Sequence, residues 1–331
     1  MAVTMAEISK LRTMTGAGMM DCKKALTEAN NDMDKAIELI RKRGQAIAAK
    51  RSDRDAAEGC VLAKAEGNFA AIVALKCETD FVAKNADFVA LTQTILDAAI
   101  ANRPASIDEL NNILIDGRTI AALITDRSGV TGEKMELGYY EFVNGNSTVA
   151  YVHPGNMLAT VVAFNEENAD LKVMRAVAMQ VAAMNPVALD RNSVDQKVID
   201  TEMQVAIDKT KAEQVQKAVE AALKKAGFNL YIAESEEHLN EGIMKGSINE
   251  AQAQEIRQLK ERVAAEKAAN LPEQMIQNIA QGRLNKFFQE STLMEQQFVG
   301  GETEQKMNVD TFLKNNGVSA TAFRRITLNQ E

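Results

Sequence analysis

The chain has 331 residues, 46% of them hydrophobic, and a formal net charge of −8. That length suggests two or three domains with real cores, and the acidic balance argues against a nucleic-acid surface, which rests on clustered Lys and Arg. Met1 to Lys10 lacks the apolar core of a signal peptide and no run approaches the roughly 20 apolar residues of a membrane span, so the expected setting is the cytoplasm, without a membrane partner.

Residues 1–55 carry apolar positions at helical spacing in three groups: Ile8 and Leu11, then Cys22, Leu26 and Ala29, then Ala36, Ile37 and Ile40. This predicts three short helices in a compact bundle, which resembles a ubiquitin-associated (UBA) domain. Gly16 and Gly18 permit a tight reversal between the first two helices, because glycine accepts a positive φ. They do not make a phosphate loop. Gly16-Ala17-Gly18 follows a helix rather than a strand, and neither the third glycine of a dinucleotide site nor the second glycine of a P-loop is present. Direct nucleotide binding by this chain is therefore not expected. Met19 and Met20 are adjacent, so one helical stripe cannot bury both. An outward thioether beside Lys23 suits an adaptable protein-binding surface; a half-exposed helix residue is the other reading. The module holds 11 Lys and Arg against 8 Asp and Glu, with Arg41, Lys42, Arg43, Lys50, Arg51 and Arg54 around the end of the third helix and the linker. This cluster is a solvated face or one turned toward an acidic partner or RNA.

A first core subdomain is expected over 56–142. Phe69-Ala70-Ala71-Ile72-Val73-Ala74-Leu75 is short, apolar and partly β-branched, as a sheet-core strand is, and Gly59 to Ala65 is a strand candidate before it. After it comes Glu78-Thr79-Asp80-Phe81-Val82-Ala83-Lys84-Asn85, and then Phe88, Leu91, Ile95, Ala98 and Ala99 at helical spacing. Phe81 thus sits at a strand-to-helix joint, where it either staples onto its own helix or stands clear for use. Thr131-Gly132-Glu133 falls in a loop. The second core subdomain begins over 143–194 and repeats the pattern: Ser147 to His153 as a strand, Ala159-Thr160-Val161-Val162-Ala163-Phe164-Asn165-Glu166, then a helix from Leu171 to Met184. Two ββα copies predict a duplicated core of small antiparallel sheets, each with one face covered by a helix. The second copy has Glu166-Glu167-Asn168-Ala169-Asp170 where the first has Phe81.

His153 and His238 are the only histidines, too few and too separated for a metal site or a catalytic relay. Cys22, Cys60 and Cys77 lie in apolar patterns without zinc or disulfide spacing and are expected as reduced core thiols. From 195 to 281 the composition turns helical and rich in Ala, Gln, Glu and Lys. Val215, Val219, Ala222 and Ala226, and Ile256, Leu259 and Val263, form narrow stripes suited to a helical hairpin or coiled coil. Gly227 to Ile232 and Gly242 to Asn249 break it. Residues 282–331 are expected to return to the second core subdomain, with Phe298 in the core and a final strand at Arg324 to Leu328.

The segment Met14-Thr15-Gly16-Ala17-Gly18-Met19-Met20-Asp21-Cys22-Lys23-Lys24-Ala25-Leu26, together with Glu78 to Asn85, resembles the elongation factor Ts family over nearly the whole chain. The resemblance implies an α+β fold: an N-terminal three-helix UBA-like bundle, a duplicated α+β core and an inserted coiled-coil domain, here extended. It implies a guanine nucleotide exchange factor for elongation factor Tu, met in its GDP-bound and nucleotide-free states, that performs no covalent chemistry and carries no cofactor. The contact residues it implies are Arg12, Met19, Met20, Lys23, Asp80, Phe81, Thr131, Gly132, His153 and Val299. Phe81 would act as a wedge that disturbs the magnesium and phosphate site of the partner. For the extended insertion, a homodimer contact, a surface for another partner and an inert elaboration stay open. On physical grounds alone, a scaffold that binds without exchange activity is the rival; an enzyme would need a convergent polar set that the sequence does not offer.

Overall fold

Thr4 starts the first helix: its hydroxyl accepts from the Glu7 amide, and the Glu7 carboxylate accepts from the Thr4 amide at 2.8 Å, a reciprocal cap. The computed structural model describes residues 3–300 and 307–330. Helix α1 (Met5–Thr15) ends at Gly16 in the left-handed region, and α2 (Met19–Glu28) and α3 (Met33–Ala49) complete the bundle. Ile8, Leu11, Cys22, Ala25, Leu26 and Ala36 are buried among them, with Ile37 and Ile40 packed at the margin. This is the three-helix module expected from the spacing.

The first core subdomain is built on β1 (Glu58–Glu66) and β2 (Phe69–Cys77), an antiparallel hairpin turned at Gly67. After β2 come the single turn α4 (Asp80–Ala83), α5 (Ala86–Asn102), α6 (Ile107–Asn112), the small ribbon β3 (Leu114–Ile115) and β4 (Arg118–Thr119), and α7 (Ile120–Thr131). Strand β5 (Glu136–Asn144) then pairs antiparallel with β2, giving the order β1-β2-β5. The apolar run in β2 is continuous because both faces are covered. Phe69, Ala71, Val73 and Leu75 meet Phe88, Ile95, Leu96 and Ala99 of α5. Ala70, Ile72 and Ala74 face the second subdomain.

That subdomain has β6 (Ser147–Val152) and β7 (Leu158–Phe164), followed by α8 (Leu171–Met184). Here the chain leaves for the insertion, α9 (Gln196–Lys225), α10 (Leu230–Glu234), α11 (Glu236–Met244), α12 (Glu250–Ala269) and α13 (Glu273–Ser291). It returns as α14 (Val309–Asn315) and β8 (Ala320–Thr327), which completes a second sheet in the order β6-β7-β8. Ala159, Val161, Ala163 and Ile326 of this sheet pack against Val61, Ala70, Ile72 and Ala74 of the first. Each sheet therefore has a helix on one face and the other sheet on its second face, a layering beyond the helix-covered sheets read from the repeat.

The molecule divides into two compact units, Met1–Leu189 with Gln297–Glu331, and Asp190–Gln296. In the second unit α12 and α13 run along α9. The stripe residues Val215, Val219, Ile256, Leu259 and Val263 meet there, but Ala233, Leu239 and Ile243 of α10 and α11 close a small apolar core over them. The breaks near Gly227 and Gly246, both at positive φ, fold these short helices back, so this end of the insertion is a helical cluster rather than a bare hairpin. Residues 282–296, expected with the second core subdomain, continue α13 and its final turn inside this unit.

Candidate partner-binding surface

A single helical turn such as α4 cannot hold itself in water, so its neighbours must fix it. Thr79 caps it by accepting from the Val82 amide, and Asp80 pairs with Lys84 at 2.7 Å. Lys84 holds the Asp80 carboxyl below its ordinary range. Ala83 is buried and Val82 half-buried against the first core, whereas Phe81 between Asp80 and Val82 is 83% exposed. The staple reading is thereby overturned. Phe81 packs on nothing that removes it from water.

Two carboxylates anchor this turn from below. Glu133 accepts from the Glu78 and Thr79 amides, both at 3.1 Å, and from the Thr79 hydroxyl at 2.6 Å. In return Glu78 accepts from the Lys134 amide at 2.6 Å and from Arg54 at 2.9 Å, with Arg51 at 3.7 Å. The Lys134 amide bond and, after it, the Arg54 guanidinium hold the Glu78 carboxyl low against the opposing effect of burial. The Lys134 ammonium also reaches the Arg54 carbonyl at 2.9 Å. Part of the basic cluster after α3 is thus spent on ion pairs within the chain rather than on a solvated face.

Thr131 and Gly132 lead directly into Glu133. The sequence places them in a loop; in the structure Thr131 is the last residue of α7 and Gly132 its left-handed cap at φ 74°. Both are half-buried, and they lie one residue from the anchor of the Phe81 turn. Helix α7 also carries the contact with the N-terminal module. Gly44 of α3 meets Gly129 backbone to backbone and Arg41 approaches Asp126 at 3.9 Å, while on the core side Arg127 bonds Asn85 at 2.9 Å and Asp87 at 3.1 Å at the start of α5. A cleft of about 170 Å³ beside this crossing is lined by Met14, Ile37, Ile40, Ile47, Arg43 and Val130, among others.

Arg12 and Lys23 are exposed on the module, as are Met19 at 40% and Met20 at 75%. Both adjacent methionines face outward, since Cys22, Ala25 and Leu26 take the buried stripe of α2. His153 is exposed at the end of β6, its Nδ1 3.0 Å from the Tyr151 hydroxyl. Gly155 and Asn156 turn the chain at positive φ, and the Asn156 carbonyl accepts from the Val61 amide at 2.7 Å. Val299 is exposed; its amide donates to Gln180 Oε1 at 3.0 Å, while Gln180 Nε2 donates to the Gln297 carbonyl at 3.1 Å. Phe298, expected in the core, is half-buried and stacks on Phe312 at 3.9 Å between ring centres. Hydrogen bonds thus join Glu78 and Thr79, just before Asp80 and Phe81, to Glu133, just after Thr131 and Gly132, while those of His153 and Val299 run elsewhere. Arg54 and Gln180 were not among the expected site residues, and Glu133 was read only as the end of the Thr131-Gly132-Glu133 loop. Glu133 had a signal, an acid directly after a helix-ending glycine; the pairing of Arg54 with Glu78 had none.

Among the described residues no cluster of His, Cys, Asp or Glu could hold a metal ion, and no helix is long and apolar enough to cross a membrane. The geometry is that of a small helical module docked on a duplicated α+β core, with an aromatic held outward on an anchored turn. A model of the family described as Elongation factor TS matches residues 78–330. The chain is 56% identical over 334 aligned positions, covering all of both chains, to a relative named Elongation factor Ts from Phocaeicola vulgatus. It is also 56% identical over 336 positions and all of both chains to one from Parabacteroides distasonis, and 58% over 298 positions and 90% of each chain to one from Bacteroides thetaiotaomicron. The chain belongs to the elongation factor Ts family. Membership supports a role as a nucleotide exchange factor in translation elongation.

Proposed function

We propose that this protein binds elongation factor Tu in its GDP-bound and nucleotide-free forms, in the cytoplasm, and promotes GDP release by inserting Phe81. The observation that carries the reading is a phenyl ring 83% exposed on a turn whose backbone is fixed by hydrogen bonds. Exchange requires no acid, base or nucleophile. It requires preferential binding to the open state of the partner, and each tenfold weakening of GDP affinity takes about 1.4 kcal/mol of such preference. Burying one Phe contributes roughly 1.5 to 3 kcal/mol, so a single wedge supplies one or two decades by disturbing the partner's magnesium and phosphate site.

Asp80 stands beside the wedge, and Arg12, Met19, Met20 and Lys23 hold the nucleotide domain of the partner. Thr131, Gly132, His153 and Val299 extend the contact toward a second partner domain. The insertion offers a surface for a homodimer, which sedimentation of the whole protein tests. For the main reading, the release of fluorescent GDP from the cognate elongation factor Tu is followed with wild type and with Phe81→Ala. Strong acceleration that largely disappears in the variant supports the wedge. A folded wild type that binds but does not accelerate release leaves a scaffold instead.

A further inference from the structure

We propose that Glu133 is a positioning residue for Phe81. The inference rests on the wedge reading and concerns how the wedge is held. A side chain acts as a wedge only if its backbone does not yield when the partner pushes back, and misplacement by about 1 Å can cost a hundredfold in rate. Nothing within α4 supplies that stiffness. It has one turn, and its N-cap bond is long, 3.4 Å from the Val82 amide to the Thr79 hydroxyl.

The stiffness comes from 55 residues away. Glu133 Oε2 takes both the Glu78 and Thr79 amides, and Oε1 takes the Thr79 hydroxyl, so both oxygens of one carboxylate hold the two residues that lead into Phe81. The Glu133 backbone that carries it is also tied down. Its own carbonyl accepts from Ser128 Oγ, its amide donates to Thr131 Oγ1 at 3.3 Å, and Gly132 ends α7 directly before it. The reciprocal bond from the Lys134 amide to Glu78 closes the second side of the loop pair. Because α7 is also the helix on which α3 docks at Gly129, the module that carries the methionine surface packs on the helix that leads into the anchor of the wedge.

The test compares Glu133→Ala and Glu133→Gln, alone and with Phe81→Ala, in the full chain. GDP release from elongation factor Tu is measured at saturating protein, together with amide hydrogen exchange over residues 78–85 in the free protein. Glu133→Ala is expected to slow GDP release roughly ten- to a hundredfold, to remove protection of the Glu78 and Thr79 amides, and to add nothing in the Phe81→Ala background, as a residue acting only through Phe81 must. Glu133→Gln keeps an oxygen for the two amides and a nitrogen that can donate to the Thr79 hydroxyl, so it is expected to restore most of the rate. A Gln variant as slow as Ala would assign the carboxylate charge a direct role on the partner and overturn the proposal. Wild-type release by Glu133→Ala, or an equal further loss on top of Phe81→Ala, would also overturn it while leaving the wedge in place. Wild-type release by Phe81→Ala alone would remove both readings. Should the Ala variant fail to fold, Glu133→Asp, one methylene too short to reach all three donors, takes its place with the same expected loss.

Discussion

Gly44 and Gly129 touch through their backbones: a β-carbon on Gly129 would lie 2.2 Å from Gly44 Cα, whereas one on Gly44 would lie 3.4 Å from Gly129 Cα. The asymmetry gives a directional expectation. Alanine normally stabilises a helix interior by about 0.5–1 kcal/mol over glycine. At Gly44 the contact is ordinary, so Gly44→Ala is expected to be neutral or slightly stabilising. At Gly129 two helix backbones must separate, and the overpacking cost of about 1–3 kcal/mol exceeds the propensity gain. Urea denaturation of the two variants checks this, and equal midpoints would remove the close crossing as the way the N-terminal module is docked.

Phe81 separates stability from function. Its ring is almost fully in water, so truncation removes little buried area, and Phe81→Ala is expected to lie within about 0.5 kcal/mol of wild type in denaturation. A loss of 2 kcal/mol or more would mean that the ring packs on its own chain in solution, contrary to the proposed wedge.

What could be seen in the sequence follows from which interactions have a period. Strand β2 was legible because burial on both faces leaves an unbroken apolar run, and α2 because Cys22 and Leu26 repeat at helical spacing. Phe81 was legible only through the family resemblance, because its own residues left a staple on the helix and a side chain standing clear both open. Strand β5 had a weaker signature. Gly138 interrupts it, where a β-carbon would press on the flexible Lys76 side chain, with Cδ at 2.3 Å, and Tyr139 on the same strand is exposed. The exchange of bonds between Glu78, Thr79, Glu133 and Lys134 joins positions more than fifty residues apart, and side-chain to backbone bonds of that kind leave no periodic trace. The fold-back of α10 and α11 was visible only as glycine breaks, since the residues that close the cluster are scattered through short helices.

The Glu78 carboxyl should make stability fall with acid. Its value is depressed in the folded state by the Lys134 amide and Arg54, so its contribution is fully present above the unfolded carboxyl value of about 4.3 and is lost as pH falls through the lower folded value. Glu78→Gln is therefore expected to be less stable than wild type near neutrality, with the gap narrowing as pH drops below about 4. Thermal midpoints between pH 3 and 7 measure it. A gap that stays constant over this range would show that the carboxylate charge contributes nothing to the loop.

Gln180 ties the exposed Val299 segment to α8. The side chain is almost wholly buried, accepts from the Val299 amide and donates to the Gln297 carbonyl. A buried amide or carbonyl stripped of its partner costs about 1–3 kcal/mol, so Gln180→Leu, which fills similar volume without either bond, is expected to destabilise by that amount. It should also loosen the segment before it unfolds the protein, because the lost bonds are local while the apolar face of α8 is untouched. Hydrogen exchange at the Val299 amide gives the direct readout: it should quicken in Gln180→Leu. If the amide exchanges equally fast in wild type and Gln180→Leu, Val299 is held by something other than this glutamine.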